Sequence, residues 1–296
     1  MAPISQLPGH LHQSISLRIV RKTLHAGTSE EKKGKAEKKK KKRPSPKIVY
    51  PSSGVYPISY EITDCSETGG IGMIYVTGDT HANIDISKLN TKNFPQQKSL
   101  SKDDYIIVSG DFGLVWDGSA REIYWQDWLT NKNFTTLFID GNHENFDILH
   151  RLPISEKFGG YVREIAPDIY HLERGQVLTI DGKRIFVMGG ARSIDKEHRI
   201  EHISWWEEEM PSRKEMEYAI ASLDSVNWKV DYVITHCAPR SVQSQISKWY
   251  ENDPMVSFLE RIYSDLEFDK WYFGHYHIDK EINEKFVALF NEVVPI

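Results

Sequence analysis

Five short groups of polar residues, lying between positions 79 and 277 of a 296-residue chain, carry side chains that can bind divalent metal ions. In chain order the groups are Asp79-Thr80-His81, Gly110-Asp111, Gly141-Asn142-His143-Glu144, His236 and Gly274-His275-Tyr276-His277. Hard and borderline divalent ions prefer carboxylate, imidazole and amide oxygen as ligands, so no thiolate is needed. The candidate metal ligands are therefore Asp79, His81, Asp111, Asn142, His236, His275 and His277.

Two metal ions that act together, about 3.5–4 Å apart, need a ligand that they share. Asp111 is the candidate for this bridge, because the Gly110-Asp111 pair offers no second ligand beside it. The expected cofactors are two divalent ions, with Mn²⁺ as the first choice and Fe, Zn or Ni as alternatives that suit the same donors.

Short apolar runs precede these groups, and they predict the elements that position them. The runs are Ile74-Tyr75-Val76, Tyr105-Ile106-Ile107-Val108, Leu137-Phe138-Ile139, Tyr232-Val233-Ile234 and Trp271-Tyr272-Phe273. Runs of this length and composition are typical of buried strands, and ligands at the carboxyl ends of such strands converge on one crevice. Strand alternation is expected to point both side chains of each Asp-x-His or His-x-His pair the same way. The glycines at 78, 110, 141 and 274 are expected to turn the backbone sharply and leave room for ions.

Further patterns predict helices and a hairpin in the same part of the chain. Residues 119–132 have apolar residues at helical spacing, Ser212 and Glu215 form a capping box, and Asp253-Pro254 is a helix start. The Asp181-Gly182 pair between two apolar runs is a hairpin signal. The fold class expected from this mixture is α/β, with one domain over residues 71–296.

The charge distribution separates the first residues from the rest of the chain. Residues 1–50 carry 13 Lys and Arg against 3 Asp and Glu, whereas the remainder carries 24 against 39. We expect residues 1–47 to be a disordered Lys-rich leader, with a solvated tail, a nuclear-import or nucleic-acid tether and a transit peptide as alternative roles. Residues 48–70 are expected to be a linker or an edge strand. The two cysteines and the lack of a long apolar run or signal peptide favour a cytoplasmic protein without a membrane partner.

Taken together, the five groups resemble the motifs of the calcineurin-like metallophosphoesterase superfamily, over roughly residues 72–291. The resemblance implies two packed mixed β-sheets flanked by helices, with a dinuclear metal site at the strand ends. It implies that Asp79, His81, Asp111 and His277 hold one ion, and that Asp111, Asn142, His236 and His275 hold the other. It further implies in-line attack on phosphorus by a hydroxide bridging the ions, with His143 protonating the leaving oxygen or stabilising transition-state charge. The catalytic candidates are His143 and Asp111.

The sequence around the motifs also resembles that of a mostly bacterial and phage branch of the superfamily, for instance in Gly110-Asp111-Phe112-Gly113 and Trp205-Trp206-Glu207-Glu208-Glu209. The Ser/Thr protein phosphatases of the superfamily continue the Gly-Asp motif with a phosphate-binding arginine that this chain lacks. Arg192 or Arg199 could replace it, because guanidinium binds phosphate through two hydrogen bonds; the alternative is that they form ordinary surface pairs. The substrate-binding candidates are thus Asn142, His143, Arg192 and Arg199.

Three functions are consistent with these residues. The first is hydrolysis of a phosphate monoester or diester of a small molecule or nucleotide. The second is a nuclease, which the Lys-rich leader favours and the acidic remainder disfavours. The third is a non-catalytic scaffold, which has no need of a complete set of ligands. The substrate and the oligomeric state do not follow from the sequence.

Overall fold

The computed structural model describes residues 72–296. The predicted leader at residues 1–47 and the predicted linker or edge strand at residues 48–70 lie outside the described residues.

Two mixed β-sheets form the centre of the described part of the chain. The strands, in chain order, are β1 (Ile74–Thr77), β2 (Tyr105–Val108), β3 (Thr135–Phe138), β4 (Ile154–Lys157), β5 (Gly160–Ala166), β6 (Ile169–Leu172), β7 (Gln176–Ile180), β8 (Lys183–Met188), β9 (Tyr232–Thr235), β10 (Lys270–Phe273), β11 (Lys280–Glu281), β12 (Phe286–Ala288) and β13 (Val293–Pro295). The first sheet has the order β13-β1-β2-β3-β6-β5-β4, and the second has the order β11-β12-β10-β9-β8-β7. The inner strands of each sheet run parallel and the outer ones antiparallel, for example β1 beside β2 and β13 beside β1. All five predicted strands are present.

Helices cover the outer faces of the sheets, and three of the five between residues 72 and 296 begin where the sequence predicts, whereas α2 and α4 were not predicted. They are α1 (Ala120–Thr130), α2 (Phe146–Leu149), α3 (Arg213–Ser225), α4 (Arg240–Ile246) and α5 (Pro254–Asp265). Helix α3 starts with the predicted capping box between Ser212 and Glu215, and Asp253 caps α5 in front of Pro254. Single turns of 3₁₀ helix lie at Ile86–Leu89, Pro95–Ser99, Lys196–His198 and Glu207–Glu209.

The core consists of three apolar layers, because the central strands are buried on both faces. On β2, Ile107 points into the layer between the sheets, whereas Ile106 and Val108 pack on the other side. On β10, Tyr272 faces the same middle layer, and Trp271 packs in the layer of α3 and α5. The architecture is therefore the α/β sandwich that the sequence predicts.

The hairpin β7–β8 turns at Asp181-Gly182, and both residues have positive φ, at 47° and 74°. This is the backbone that a two-residue turn of right-handed twist requires. None of the helices between residues 72 and 296 has the length and apolar character of a membrane span.

Candidate metal centre

The candidate ligands lie just beyond the carboxyl ends of strands from both sheets. Strands β1, β2 and β3 lead to Asp79, Asp111 and Asn142, while β9 and β10 lead to His236 and His275. The two sheets therefore bring their strand ends to one place, as expected from the order of the groups.

The prediction that strand alternation points the paired ligands the same way is wrong, because several of these residues lie in turns after the strands end. His81, Asp111, His275 and His277 all have positive φ, between 40° and 66°. This left-handed conformation is strained for residues other than glycine, by about 1–3 kcal/mol each, and is found where surrounding contacts enforce it. Here the carbonyl of Asp111 accepts the backbone N–H groups of Thr80 and His81, at 3.1 and 2.8 Å.

Gly110 and Gly274 leave room for the side chains of candidate ligands. A Cβ on Gly110, which has φ of 101°, would collide with the imidazole of His236. A Cβ on Gly274 would collide with the carboxylate of Asp79. Each glycine thus lets a ligand from a distant segment approach its backbone closely.

The first group of ligands joins Asp79, His81, Asp111 and His277, whose ligating atoms lie within 4.8 Å of one another. Nε2 of His277 lies 3.1 Å from Oδ2 of Asp79. Nε2 of His81 lies 3.3 Å from Oδ2 of Asp111. Both carboxylates are buried, at 0% and 2% exposure.

The second group lies on the other side of Asp111. Nε2 of His236 is 3.4 Å from Oδ1 of Asp111 and 3.3 Å from Oδ1 of Asn142. The ring of His275 packs edge-on against that of His236 at 4.9 Å, and its backbone N–H donates to Asp79 at 3.0 Å. The two oxygens of Asp111 therefore face imidazoles of two different groups.

Hydrogen bonds on the far side of two imidazoles orient their Nε2 atoms towards Asp111. Nδ1 of His81 contacts Oδ2 of Asp85 at 2.8 Å, and Nδ1 of His236 contacts the carbonyl of Ser109 at 2.8 Å. When Nδ1–H donates this hydrogen bond and the ring is neutral, Nε2 keeps a free lone pair, which points towards Asp111. A carboxylate or carbonyl behind the imidazole is the usual partner of a metal-ligating histidine.

The electrostatic field of the site favours positive charge. Burial lowers the pKa of His81, but Asp111, Asp79 and Asp85 outweigh it and raise the pKa to about 9. Burial also lowers the pKa of His236, but the charges of Asp111 and Asp79 outweigh this effect and raise the pKa to about 10. Burial would raise the pKa of Asp111, but the charge and hydrogen bond of His236 hold it well below its usual range.

The donor set and its field therefore fit divalent cations. Buried carboxylates need a positive partner, and the ion pairs of Asp79 and Asp111 within residues 72–296 are all with histidines. Metal ions would replace the protons that those imidazoles otherwise hold. Burial and the charge of His236 lower the pKa of His275 to about 4, so that this ring stays a neutral ligand.

His143 and Arg199 meet at the edge of the centre. The backbone N–H of His143 donates to Oδ1 of Asp111 at 2.9 Å, and its ring lies 5.7 Å from that of His81. Nη1 of Arg199 lies 3.5 Å from Nδ1 of His143, and its Nε pairs with Asp195 at 2.9 Å. Arg199 thus makes both the surface pair and a contact with the site.

Arg192 does not share this contact. Its guanidinium is 42% exposed and pairs with Glu251 at 3.4 Å. The structure therefore brings one of the two arginine candidates against a site residue and leaves the other at the surface, in the same connection between β8 and α3.

Glu144 supports the turn at Asp111 from beneath. Its carboxylate is fully buried and accepts the backbone N–H groups of Phe112 at 2.7 Å and Gly113 at 3.3 Å. Burial and the nearby charge of Asp111 raise the pKa of Glu144 well above its usual value, against these hydrogen bonds. The carboxylate therefore acts on the backbone that carries Asp111.

Three residues that hold the ligands were not predicted from the sequence: Asp85, Ser193 and Lys88. The Ser193 hydroxyl accepts from the amide nitrogen of Asn142 at 3.2 Å, which turns the amide oxygen towards His236. Asp85 follows His81 by four residues, a spacing that could have indicated the contact. For Lys88 the sequence offers no signal, because its partners are backbone carbonyls.

Lys88 connects the turn that contains Asp79 with the segment around Phe290 through hydrogen bonds. It is 5% exposed, and its ammonium donates to the carbonyls of Asp79 at 2.6 Å and of Phe290. The Phe290 ring stacks on His277, at 4.7 Å and 18°. One buried cation therefore links the backbone of two segments that carry ligands of the first group.

Replacing Lys88 with methionine is expected to weaken metal binding by about 10–100-fold, the usual effect of removing a residue that orients ligands. The measurement is competition for Mn²⁺ with a chelator. Lys102→Met is the matched control, because Lys102 also donates to main-chain carbonyls, of Thr130 and Phe134, away from the centre. Equal affinities of both variants for Mn²⁺ would contradict the positioning role.

Comparison with known proteins agrees with this geometry. A family model described as calcineurin-like phosphoesterase matches residues 72–279. The chain is 28% identical to the lariat debranching enzyme of Schizosaccharomyces pombe over 158 residues, which are 48% of this chain and 33% of that enzyme. It is 28% identical to lariat debranching enzyme A of Xenopus laevis over 193 residues, 57% of this chain and 33% of that enzyme. The chain thus spans about one third of the length of these curated relatives. Because the family model matches more than half of the chain, this protein belongs to the calcineurin-like phosphoesterase family.

Proposed function

We propose that this protein hydrolyses a phosphate ester of a small molecule or a nucleotide, with two divalent metal ions at the candidate centre. The observation that carries the proposal is the position of Asp111, whose two carboxylate oxygens face His81 and His236 of two different groups. A carboxylate in that position suits a ligand that two ions share.

The two groups divide the ligands between the ions. One ion would be held by Asp79, His81, Asp111 and His277, and the other by Asp111, Asn142, His236 and His275. Divalent ions in these positions would act as Lewis acids that neutralise phosphate oxygens and make water nucleophilic near neutral pH. Mn²⁺ is the first candidate, and Fe, Zn and Ni suit the same donors.

His143 is the proposed residue for the leaving oxygen. Because a guanidinium only donates hydrogen bonds, the contact with Arg199 makes Nδ1 of His143 an acceptor and places the ring proton on Nε2. Burial and the charge of Arg199 lower the pKa of His143 against the opposing effect of Asp111, so the ring is neutral. A neutral imidazole is a weak acid, so Nε2–H would stabilise the developing charge through a hydrogen bond rather than transfer its proton.

The substrate phosphate is proposed to lie against Asn142, His143 and Arg199. The guanidinium of Arg199 is anchored by Asp195 and is 17% exposed, so it can meet a phosphate without losing its position. Arg192 would reach the phosphate only after leaving Glu251. We therefore propose Arg199 as the main anion-binding residue and Arg192 as a secondary one.

The test is hydrolysis of p-nitrophenyl phosphate and bis(p-nitrophenyl) phosphate by the full chain loaded with Mn²⁺. We expect turnover that disappears on chelation and returns when Mn²⁺ is added back. Preference for the second ester would identify a diesterase. Absence of turnover with Mn²⁺, Fe²⁺, Zn²⁺ and Ni²⁺ alike would refute the proposal and leave the nuclease and the scaffold as the remaining functions.

A nuclease is the second candidate, favoured by the similarity to two lariat debranching enzymes. The acidic composition of residues 51–296 opposes it, because nucleic-acid surfaces are usually basic. Cleavage of single-stranded or branched RNA oligonucleotides by the Mn²⁺-loaded protein, with rates that fall steeply as salt rises, would support this candidate.

A further inference from the structure

A cleft beside the candidate metal centre is lined by two tryptophans that the proposed chemistry does not use. Its walls come from the turn after His81, the loop after Asp111 and the first turns of α1, and its cavity volume is about 80 Å³. The half-buried Trp116 and Trp125 line it, together with the buried Leu114.

The cleft shares backbone with the first group of ligands. Ala82, which lines the cleft, follows His81 directly, and its N–H donates to the carbonyl of Phe112 at 3.0 Å. Gly113, two residues after Asp111, packs so closely on Ala82 that a Cβ would collide with its backbone nitrogen. The wall of this cleft thus begins one residue after His81, a candidate ligand of the first group.

The loop that carries Trp116 is held in a fixed conformation. The carboxylate of Glu122 accepts the backbone N–H groups of Trp116 and Asp117, at 2.9 and 2.8 Å, and Asn145 donates to the carbonyl of Trp116 at 2.6 Å. The indole of Trp116 packs edge-on against Trp206, which is 1% exposed. Trp206 thus anchors this surface to the core, and a ligand would meet a preformed wall.

The chemistry of the walls selects the ligand. Half-buried indoles offer faces on which a flat ring can stack. Asn83, Asp117 and Arg121 add both donors and acceptors at the rim, which a plain hydrocarbon would leave unused. A flat ring with polar edges, attached to a phosphate, satisfies both features.

We infer that this cleft binds the nucleobase of a nucleoside phosphate whose phosphate lies at the candidate metal centre. The inference rests on the proposed phosphoesterase function and narrows its substrate to nucleotides. Trp125, on α1, is the stacking residue most separable from the metal centre.

The first experiment measures binding without hydrolysis. Adenosine, with ribose as the base-free control, is titrated into the full chain by calorimetry and by quenching of tryptophan fluorescence. We expect adenosine to bind and ribose not to bind. Equal behaviour of the two probes in the unaltered protein would overturn the inference, whether or not the protein hydrolyses any ester.

The second experiment compares Trp125→Leu with Trp228→Leu, a control at another half-buried tryptophan, which follows α3, donates to Asp224 at 2.6 Å and does not line the cleft. Trp125→Leu is expected to weaken adenosine binding at least about fivefold, and Trp228→Leu to change it less than about twofold. Near-UV circular dichroism checks that each variant is folded.

The third experiment uses two diesters with the same leaving group, thymidine 5′-(p-nitrophenyl phosphate) and methyl p-nitrophenyl phosphate. Trp125→Leu is expected to lower kcat/KM for the nucleoside ester at least about fivefold and to spare the methyl ester. Equal losses on both esters would overturn the assignment of the cleft to the base. Failure of the unaltered protein to hydrolyse either ester counts against the proposed function. The comparison of adenosine with ribose then shows whether the cleft binds a nucleobase.

Discussion

Replacing Asp111 with asparagine is expected to reduce the bound metal from about two ions per chain to none. The amide is uncharged, and it presents an NH₂ group to one of the two imidazoles that the carboxylate oxygens now face, His81 and His236. Each ion would thus lose a charged ligand at once. The measurement is metal content by mass spectrometry after loading with Mn²⁺ and gel filtration.

The asparagine variant is expected to keep its fold, because its amide oxygen can still accept the backbone N–H of His143 as Oδ1 of Asp111 does at 2.9 Å. Asp104→Asn is the matched control. Asp104 lies at the other end of β2, is 9% exposed and accepts the backbone N–H groups of Met73 and Ser101. Its variant should bind metal normally. Retention of half the metal by Asp111→Asn would show that Asp111 serves one ion alone.

The apolar runs of the sequence predicted the strands around the centre because both faces of those strands are buried. In a continuous run such as Tyr105-Ile106-Ile107-Val108, alternate side chains pack into the apolar layers on the two faces of the sheet, as they do on β2. Strand β4 was not predicted for the complementary reason. All four residues of β4 are exposed, so its sequence carries no alternation of apolar and polar residues.

The contacts of Lys88 and of backbone groups that support the centre could not be predicted, because they join segments far apart in the chain. Lys88 reaches Phe290 across 202 positions, and the backbone of His275 reaches the Asp79 carboxylate across 196. Backbone carbonyls and N–H groups are present at every position, so a contact to one of them leaves no mark in the sequence. The left-handed turns at His81 and His275 are also hidden, since a positive φ is uncommon even though histidine adopts it more often than most residues other than glycine.

The unpredicted contacts affect the chemistry as much as the predicted ligands do. Residue types fix which atoms can bind a metal, and motif order brings them to one edge of the sheets. The direction of each lone pair depends on the partner behind it, Asp85 for His81 and the Ser109 carbonyl for His236. Substitutions of those partners would leave every motif intact and still disturb the centre.

Replacing His143 with alanine is expected to lower kcat for p-nitrophenyl phosphate by about 10²–10³-fold, the usual loss of one hydrogen-bond donor to developing negative charge. Metal content should stay unchanged, because the backbone contact of His143 with Asp111 is retained. The loss should be larger for phenyl phosphate, whose leaving oxygen holds its charge more locally. His150→Ala, seven residues further along the same segment, is the control and should keep full activity.

Replacing His143 with glutamine separates the two roles that the ring could have. Glutamine keeps an N–H donor but cannot act as an acid at neutral pH. If the neutral ring donates a hydrogen bond from Nε2, as the contact of Nδ1 with Arg199 indicates, glutamine should recover at least about tenfold of the activity that alanine loses. Identical rates for the two variants would mean that the ring transfers its proton, and His143 would then have to be protonated once substrate is bound, despite the charge of Arg199 beside it.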